Sequence, residues 1–290
     1  MLAEPLLVGS VVTILVCALI RRWPTLDLGA PRVHTPTIAR AVGEHEGVAE
    51  ALREAPAPKA ATGAALTVAW IIVAAGTVGI GVLLFMVRTN TGFARFDQSA
   101  SQWAADHASA WTATALRDVS LLGGTELTLV LIVVIGAIDW ARHRTGAALV
   151  FLAVTFIGIT VIVNVVKWLV DRTRPDIDRL TGFSGPSFPS GHAATAAAMF
   201  AAYALVVSRR QSPHTRALVA GLGAGIAVAV ASSRVLLGVH WLTDVLAGLA
   251  VGWAWFAVCS AAFGGRFLRF GEPVAVAEAV ADAKSASHST

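Results

Sequence analysis

Residues 146–167 read GAALVFLAVTFIGITVIVNVVK, a run of 22 residues in which the only charge is the final Lys167. A helix of this length rises about 30 Å, which is the thickness of the hydrocarbon core of a bilayer. Similar apolar blocks recur on both sides of it, at about 64–87, 123–140, 192–208, 216–235 and 240–263. The sequence therefore predicts an all-α integral membrane helical bundle with a six-helix core.

The composition excludes an ordinary soluble domain. Only 14% of the 290 residues are charged and 56% are hydrophobic, whereas soluble domains carry about 25% charged residues. The net charge is +4, but Lys and Arg stand at the ends of apolar blocks, which is typical of membrane loops. We therefore expect the bilayer, and no nucleic acid, as a partner. Cys17 and Cys259 lie inside apolar blocks without a CxxC or His/Cys cluster, so they predict no metal site and no disulfide framework.

The chain outside the core divides into three further predicted units. Residues 1–22 hold an apolar block that is followed, and not preceded, by arginines, which favours an uncleaved transmembrane anchor helix over a signal peptide. Residues 23–63 are polar and end in Ala-Pro-Ala-Pro, which predicts a cytoplasmic linker. The six-helix membrane domain then covers 64–265, and the Ala- and Ser-rich residues 266–290 predict a disordered tail.

The distribution of arginines predicts the orientation of the bundle. The short loops 141–145 and 209–216 contain five arginines, and basic short loops face the cytoplasm. Segments 168–191 and 235–240 should then lie on the extracytoplasmic side of the plasma membrane. The polar stretch 88–122 is rich in aromatic residues, which predicts an amphipathic segment in the membrane interface.

Three polar clusters fall on the predicted outer side, and the first two flank a single loop. In KWLVDRTRP, residues 167–175, Lys167 and Arg174 are seven positions apart, so both cations should share one helix face until Pro175 ends the helix. In FPSGH, residues 188–192, Gly191 allows close backbone approach at a new helix whose free N–H groups favour an anion.

The third cluster is SRVLLGVHWLTD, residues 233–244. His240 and Asp244 stand four positions apart at a predicted helix start, so their side chains can meet. Arg234 adds a third cation to the same side of the membrane.

Each cluster taken alone also has a purely structural explanation. The cations could snorkel at the interface, His192 could cap a helix, and His240 with Asp244 could secure a helix terminus. Three aspartates beside the first cluster could ligate a metal, although the arginines among them favour loop solvation and ion pairing: Asp171, Asp176 and Asp178. Together, however, three cations, a glycine-bounded helix start, two histidines and a carboxylate are what a metal-free phosphoryl-transfer site requires.

The three clusters, Lys-x6-Arg-Pro, Pro-Ser-Gly-His and Ser-Arg-x5-His-x3-Asp, resemble the three-part signature of the type 2 phosphatidic acid phosphatases. That superfamily also includes the lipid phosphate phosphatases, glucose-6-phosphatase and the vanadium haloperoxidases. All three parts match in order, and the resemblance covers about residues 64–263. A haloperoxidase is disfavoured because a membrane bundle is predicted around the site.

The resemblance implies a role for each matching residue. His240 would attack phosphorus, Asp244 would orient and stabilise its imidazole, and His192 would protonate the leaving oxygen and then activate water. The remaining matching residues would bind the phosphate oxygens: Lys167, Arg174, Ser190, Gly191 and Arg234. Neither a metal nor another cofactor is implied.

The predicted function is hydrolysis of a lipid phosphate or diphosphate whose tail stays in the bilayer. Three substrates are candidates: a polyprenyl diphosphate, which the outward-facing site favours, phosphatidate and phosphatidylglycerophosphate. A phosphotransferase using the same phosphohistidine and a non-enzymatic membrane scaffold are the alternatives. No pattern in the sequence indicates an oligomeric state.

Overall fold

The computed structural model describes residues 74, 76, 78–107, 109–177, 181–182 and 185–264. Every regular element in these residues is helical, with a short 3-10 turn at Gly92–Ala94. The helices are α1 Val78–Thr89, α2 Arg95–Asp106, α3 Ala110–Leu121, α4 Thr125–His143, α5 Ala147–Val170, α6 Gly191–Ser208, α7 Pro213–Leu236 and α8 Leu242–Gly264. The predicted anchor helix, linker and tail lie outside the described residues.

Four of these helices are long and apolar enough to cross a membrane, namely α5, α6, α7 and α8. Helices α3 and α4 meet at a bend of 43° and make a fifth span if the bent pair is taken as one. The bounds of α4 to α8 agree with five of the predicted core blocks to within a few residues, and the all-α membrane bundle is confirmed. The block 64–87 lies partly outside the described residues, and α1 at its end is a shorter apolar helix, so a sixth span stays a prediction. The stretch 88–122 contains two separate helices, α2 and α3; its place in the interface stays a prediction.

Helix α5 presents one apolar face to the bundle and another to its surroundings. Phe151, Thr155 and Ile159 are buried, while Ile157 and Val161 on the other face are about 60% and 55% exposed. An apolar stripe of this kind on a water-soluble protein would mark an interaction surface, but hydrocarbon tails are its ordinary neighbours in a bilayer.

The alanine-rich helix α6 lies in the middle of the bundle, between α5, α7 and α8. Small side chains let the backbones come close, as is common in helix pairs within membranes. A Cβ atom added at Gly252 of α8 would lie 2.3 Å from the carbonyl oxygen of Ala194, and one added at Gly248 would lie 2.6 Å from that of Ser190. Because Gly248 and Gly252 have no side chain, the first half of α8 packs closely against the start of α6.

The directions of the helices separate the two ends of the bundle. Helices α5 and α7 end, and α6 and α8 begin, at the same end. The arginine-rich loops between α4 and α5 and between α6 and α7 lie at the other end, where Arg209 pairs with Asp139 at 2.5 Å. The three polar clusters thus lie together at one end of the bundle, and the two arginine-rich loops lie at the opposite end.

Candidate active site

Four helix ends and one loop supply the predicted site residues. Lys167 lies in the last turn of α5, Arg234 in the last turn of α7 and Asp244 in the first turn of α8. Ser190, Gly191 and His192 form the start of α6, and His192 lies within electrostatic range of Lys167, Arg174, Arg234 and His240. The structure therefore brings all eight predicted residues together.

His240 is held from both sides by charged groups. Its Nδ1 lies 3.4 Å from Oδ2 of Asp244, and its Nε2 lies 3.3 Å from Nη1 of Arg174. An arginine nitrogen can only donate, so this geometry assigns the proton to Nδ1 and the lone pair to Nε2. The residue itself lies in the turn before α8, not in the helix, because α8 begins at Leu242.

Burial keeps this imidazole neutral. The His240 side chain is about 1% exposed, and its burial lowers the pKa from 6.5 to about 4, although the hydrogen bond and charge of Asp244 act in the opposite direction. Neighbouring Arg174 and Arg234 lower the pKa further. At neutral pH Nε2 therefore carries a lone pair, which faces Nη1 of Arg174.

The prediction that Lys167 and Arg174 share one helix face is wrong. Helix α5 ends at Val170, because Asp171 adopts a left-handed conformation with φ of 44°. The N–H of Asp171 donates a hydrogen bond to the carbonyl oxygen of Lys167. Arg174 is buried in the irregular segment that follows. Pro175 restricts only the residue before it, whereas the left-handed residue turns the chain earlier and carries Arg174 into the site by another route.

Backbone carbonyls orient the two cations of the first cluster. Arg174 donates to the carbonyl oxygens of Val239 at 2.6 Å, Gly185 at 2.9 Å and Pro186 at 3.1 Å. Lys167 also donates to the carbonyl of Pro186. These acceptors are neutral, so they fix the position of the charges without cancelling them, as a preorganised anion site requires.

Donors at the start of α6 complete the site. Ser190 is fully buried, and its Oγ makes no hydrogen bond to any part of the chain that the structure describes. Its backbone N–H is used, because it donates to the carbonyl of Asp244 at 3.0 Å. Free N–H groups at a helix start favour an anion, and the unused hydroxyl of Ser190 lies beside them.

Several residues outside the predicted set hold this site together. The Ser187 hydroxyl donates to Oδ2 of Asp244 and lies 3.3 Å from Nδ1 of His240. Arg172 donates to Oδ1 of Asp244 at 2.6 Å, and Asp97 pairs with Arg172 at 2.7 Å. The signal for Arg172 is its place as a further cation inside the first cluster, whereas no pattern in the polar stretch 88–122 distinguishes Asp97 from the other charged residues there.

Ser120 is a further contact from outside the three clusters. Arg234 donates to Oγ of Ser120 at 2.6 Å, across 114 positions of sequence. Gly123, which follows in the same segment, packs against the site, since a Cβ atom there would lie 2.8 Å from the carbonyl oxygen of His192. The segment before α4 therefore supports two of the three clusters from the side.

The aspartates beside the first cluster have a metal site as their alternative explanation. Asp171 and Asp176 are exposed, and Asp178 lies outside the described residues. Within the ranges that the structure describes, no group of three or more His, Cys, Asp or Glu side chains is placed to hold a metal ion. What the site offers is fixed positive charge, a neutral imidazole and a second histidine, which suits the binding and transfer of a phosphoryl group.

Comparisons with known proteins agree with this chemistry. The model of the PAP2 superfamily matches residues 148–267. Phosphatidylglycerophosphatase B of Bacillus subtilis is 37% identical over 145 residues, which are 49% of this chain and 70% of that protein. Lipid A 1-phosphatase of Rhizobium etli is 37% identical over 124 residues, and the match spans 48% of that protein and 39% of this chain.

A solved structure also resembles the fold. The crystal structure of a transmembrane PAP2-type phosphatidylglycerolphosphate phosphatase from Bacillus subtilis superimposes with a TM-score of 0.60 at 30% identity. The superposition covers 64% of this chain and 93% of that one.

Proposed function

The chain belongs to the PAP2 superfamily and is a membrane lipid phosphate phosphatase, and from that premise we propose that it works through a phosphohistidine formed on His240. The observation that carries the proposal is the placement of this imidazole between Asp244 and Arg174. A proton on Nδ1 and a lone pair on Nε2 leave the nucleophilic nitrogen on the side where the phosphate-binding cations lie.

In the first step, Nε2 of His240 forms a bond to phosphorus while the bond from phosphorus to the lipid oxygen breaks. The imidazole becomes positively charged, and the Asp244 carboxylate beside Nδ1 stabilises that charge. Lys167, Arg174 and Arg234 bind the phosphoryl oxygens, whose charge is largest in the transition state. His192 gives a proton to the leaving oxygen, a contribution worth about 10²–10⁴ in rate.

In the second step, water attacks phosphorus and the N–P bond breaks. His192, now neutral, takes the proton of the water, so that phosphate leaves and both histidines return to their starting states. Ser190 and the N–H of Gly191 bind phosphate oxygens in both steps. The same intermediate could pass its phosphoryl group to a second lipid, but no described residue favours that outcome over water.

The names of the relatives favour phosphatidylglycerophosphate as the substrate. One relative is called phosphatidylglycerophosphatase B, and the solved structure is that of a phosphatidylglycerolphosphate phosphatase. This changes the order of the three candidates, because the outward-facing site by itself favours a polyprenyl diphosphate. Helix α5 with its apolar outer face gives any of these lipids a place for the tail while the phosphate reaches the helix ends.

The test is a panel of the three lipids with purified protein in detergent. We expect the highest kcat/KM for free phosphate release on phosphatidylglycerophosphate, and no turnover of any lipid by His240→Ala. Equal or faster turnover of the polyprenyl diphosphate would overturn the choice of substrate. Phosphate recovered on an acceptor lipid instead of in solution would show a phosphotransferase.

We also propose that the site faces the extracytoplasmic side of the plasma membrane. The support is the position of the short arginine-rich loops at the other end of the bundle, together with the tendency of such loops to stay in the cytoplasm.

A further inference from the structure

Asp97 is a buried carboxylate that the three clusters do not include. It lies in the first turn of α2, is about 3% exposed, and precedes the residues 148–267 that match the superfamily model. A buried carboxylate is costly unless it is paired and hydrogen-bonded. Its partners therefore indicate what it is for.

Both oxygens of Asp97 bind groups next to the site. Oδ1 accepts the backbone N–H of Thr243 at 2.9 Å, and Oδ2 accepts the Thr243 hydroxyl at 2.7 Å. Oδ2 also pairs with Nη2 of Arg172 at 2.7 Å. Thr243 is the second residue of α8, so Asp97 binds one of the N–H groups that a helix start leaves without an internal partner.

Arg172 joins Asp97 to the catalytic pair. Its Nη1 donates to Oδ1 of Asp244 at 2.6 Å and to the hydroxyl of Thr243 at 2.8 Å, while its Nη2 binds Asp97. One guanidinium therefore bridges two carboxylates, and the formal charge of the three groups sums to −1. The second oxygen of Asp244 faces Nδ1 of His240.

We propose that Asp97 is a positioning residue for the nucleophile, and that it acts on His240 through Arg172 and Asp244. The inference rests on the proposed phosphohistidine, because the imidazole becomes positive only when the N–P bond forms. Asp97 takes one side of Arg172, so that the guanidinium does not turn wholly to Asp244 and neutralise it. Without the charge of Asp97, the three groups sum to zero and stabilise the positive imidazole less.

The central experiment compares Asp97→Asn with Asp106→Asn. The first change keeps the size and one acceptor of the side chain and removes its charge, and the second makes the same change at an exposed position at the end of the same helix. Rapid quench with a labelled aryl phosphate measures the rate at which the phosphohistidine forms. We expect this rate to fall about tenfold or more in Asp97→Asn, as for the loss of a hydrogen bond to a charged group. Asp106→Asn should retain the wild-type rate.

A second measurement separates positioning from general damage. Inorganic phosphate as a competitive inhibitor reports on the phosphate-binding cations, which Asp97 does not contact in the hydrogen bonds above. Its inhibition constant should change less than about threefold in Asp97→Asn, since only the rate depends on the charge near the imidazole. A rate equal to that of the wild type, or a parallel loss of rate and phosphate affinity, would overturn the inference.

The route through Asp244 is tested by a double-mutant cycle. In an Asp244→Asn background, Asp97→Asn should have almost no further effect on phosphohistidine formation, because the group through which it acts is already neutral. Effects that multiply would mean that Asp97 acts elsewhere, and would refute the proposal. If Asp97→Asn does not fold, Thr243→Val in the same cycle removes a hydroxyl that contacts both Asp97 and Arg172, while the N–H and the direct pair of Asp97 with Arg172 remain. It should slow the step, by less than the loss expected for Asp97→Asn, and only when Asp244 is present.

The labelling experiment distinguishes a failure of the proposed phosphohistidine from a failure of the proposed role of Asp97. If wild-type protein carries the label on a residue other than His240, the proposed function fails. If His240 is labelled and Asp97→Asn forms the intermediate at the wild-type rate, only the positioning role fails.

Discussion

Lowering the pH from 7 to 5 should leave His240 able to attack phosphorus, because its burial lowers the pKa to about 4. A histidine with a lowered pKa stays neutral at any pH above that value, and the neutral form is lost only as the pH falls through it. At pH 5 a histidine with a pKa of about 4 is roughly 90% neutral, whereas one with a pKa of 6.5 is only about 3% neutral. At pH 5 the attack by His240 should therefore be about thirtyfold faster than the attack by a histidine with the ordinary pKa of 6.5.

The slope of the pH profile measures this difference. The substrate phosphate binds a proton near pH 6, which contributes one unit of slope to the logarithm of kcat/KM below that pH. If the pKa of His240 is about 4, the slope stays at one between pH 6 and about 4.5. An unshifted histidine would add its own proton and make the slope two.

The assay uses His192→Ala and an aryl phosphate, so that no acid is needed for the leaving group and only one histidine contributes. Single-turnover formation of the labelled intermediate is followed at each pH. Samples returned to pH 7 and assayed again serve as a control for irreversible loss of activity. Because Asp244 raises the pKa of His240, Asp244→Asn should lower the overall rate without moving the acid limb to higher pH. A slope of two between pH 6 and 4.5 would refute the reasoning from burial.

The two histidines act at different times, so rapid quench with a labelled aryl phosphate should trap phosphohistidine in His192→Ala, where hydrolysis lacks a base, and none in His240→Ala. Label in His240→Ala instead would reverse their roles. Activity should survive chelation of divalent ions, since positive side chains bind the phosphate, and vanadate should inhibit by adopting the geometry of the transition state. Loss of activity in chelator with recovery in magnesium would contradict this. With Cys17 and Cys259 replaced, an impermeant thiol reagent applied to whole cells should label a cysteine at the exposed Asp176 and not one at the exposed Gln211. Labelling only at Gln211 would invert the proposed orientation.

Much of the fold could be predicted from the sequence because insertion in a bilayer depends mainly on local composition. The block at 146–167 became α5 Ala147–Val170, since about 20 apolar residues span hydrocarbon whatever surrounds them. The same locality explains why α6 begins at Gly191 and why His240 and Asp244 meet at four positions apart. Two errors of local structure remained: α5 ends at a left-handed Asp171, and His240 lies before its helix.

The eight candidate site residues could also be predicted, because the motifs carry the charges and the nucleophile in short segments. Their mutual placement depends on helix direction, and alternating spans bring the ends of α5 and α7 to the starts of α6 and α8. Their chemical roles stay predictions until the labelled intermediate is identified.

What the sequence determined by itself was therefore the membrane bundle, the four spans α5 to α8 and the list of groups that could bind and transfer a phosphate. The tertiary structure alone decided what holds those groups: the pairing of Asp97 with Arg172 across 75 positions and of Ser120 with Arg234 across 114. No spacing rule links residues so far apart, because such contacts form only when separate helices pack. Burial belongs to the same category, since the largest cause of the lowered pKa of His240 is the exclusion of water by atoms packed around it, and this outweighs the opposite effect of Asp244 four positions along the chain.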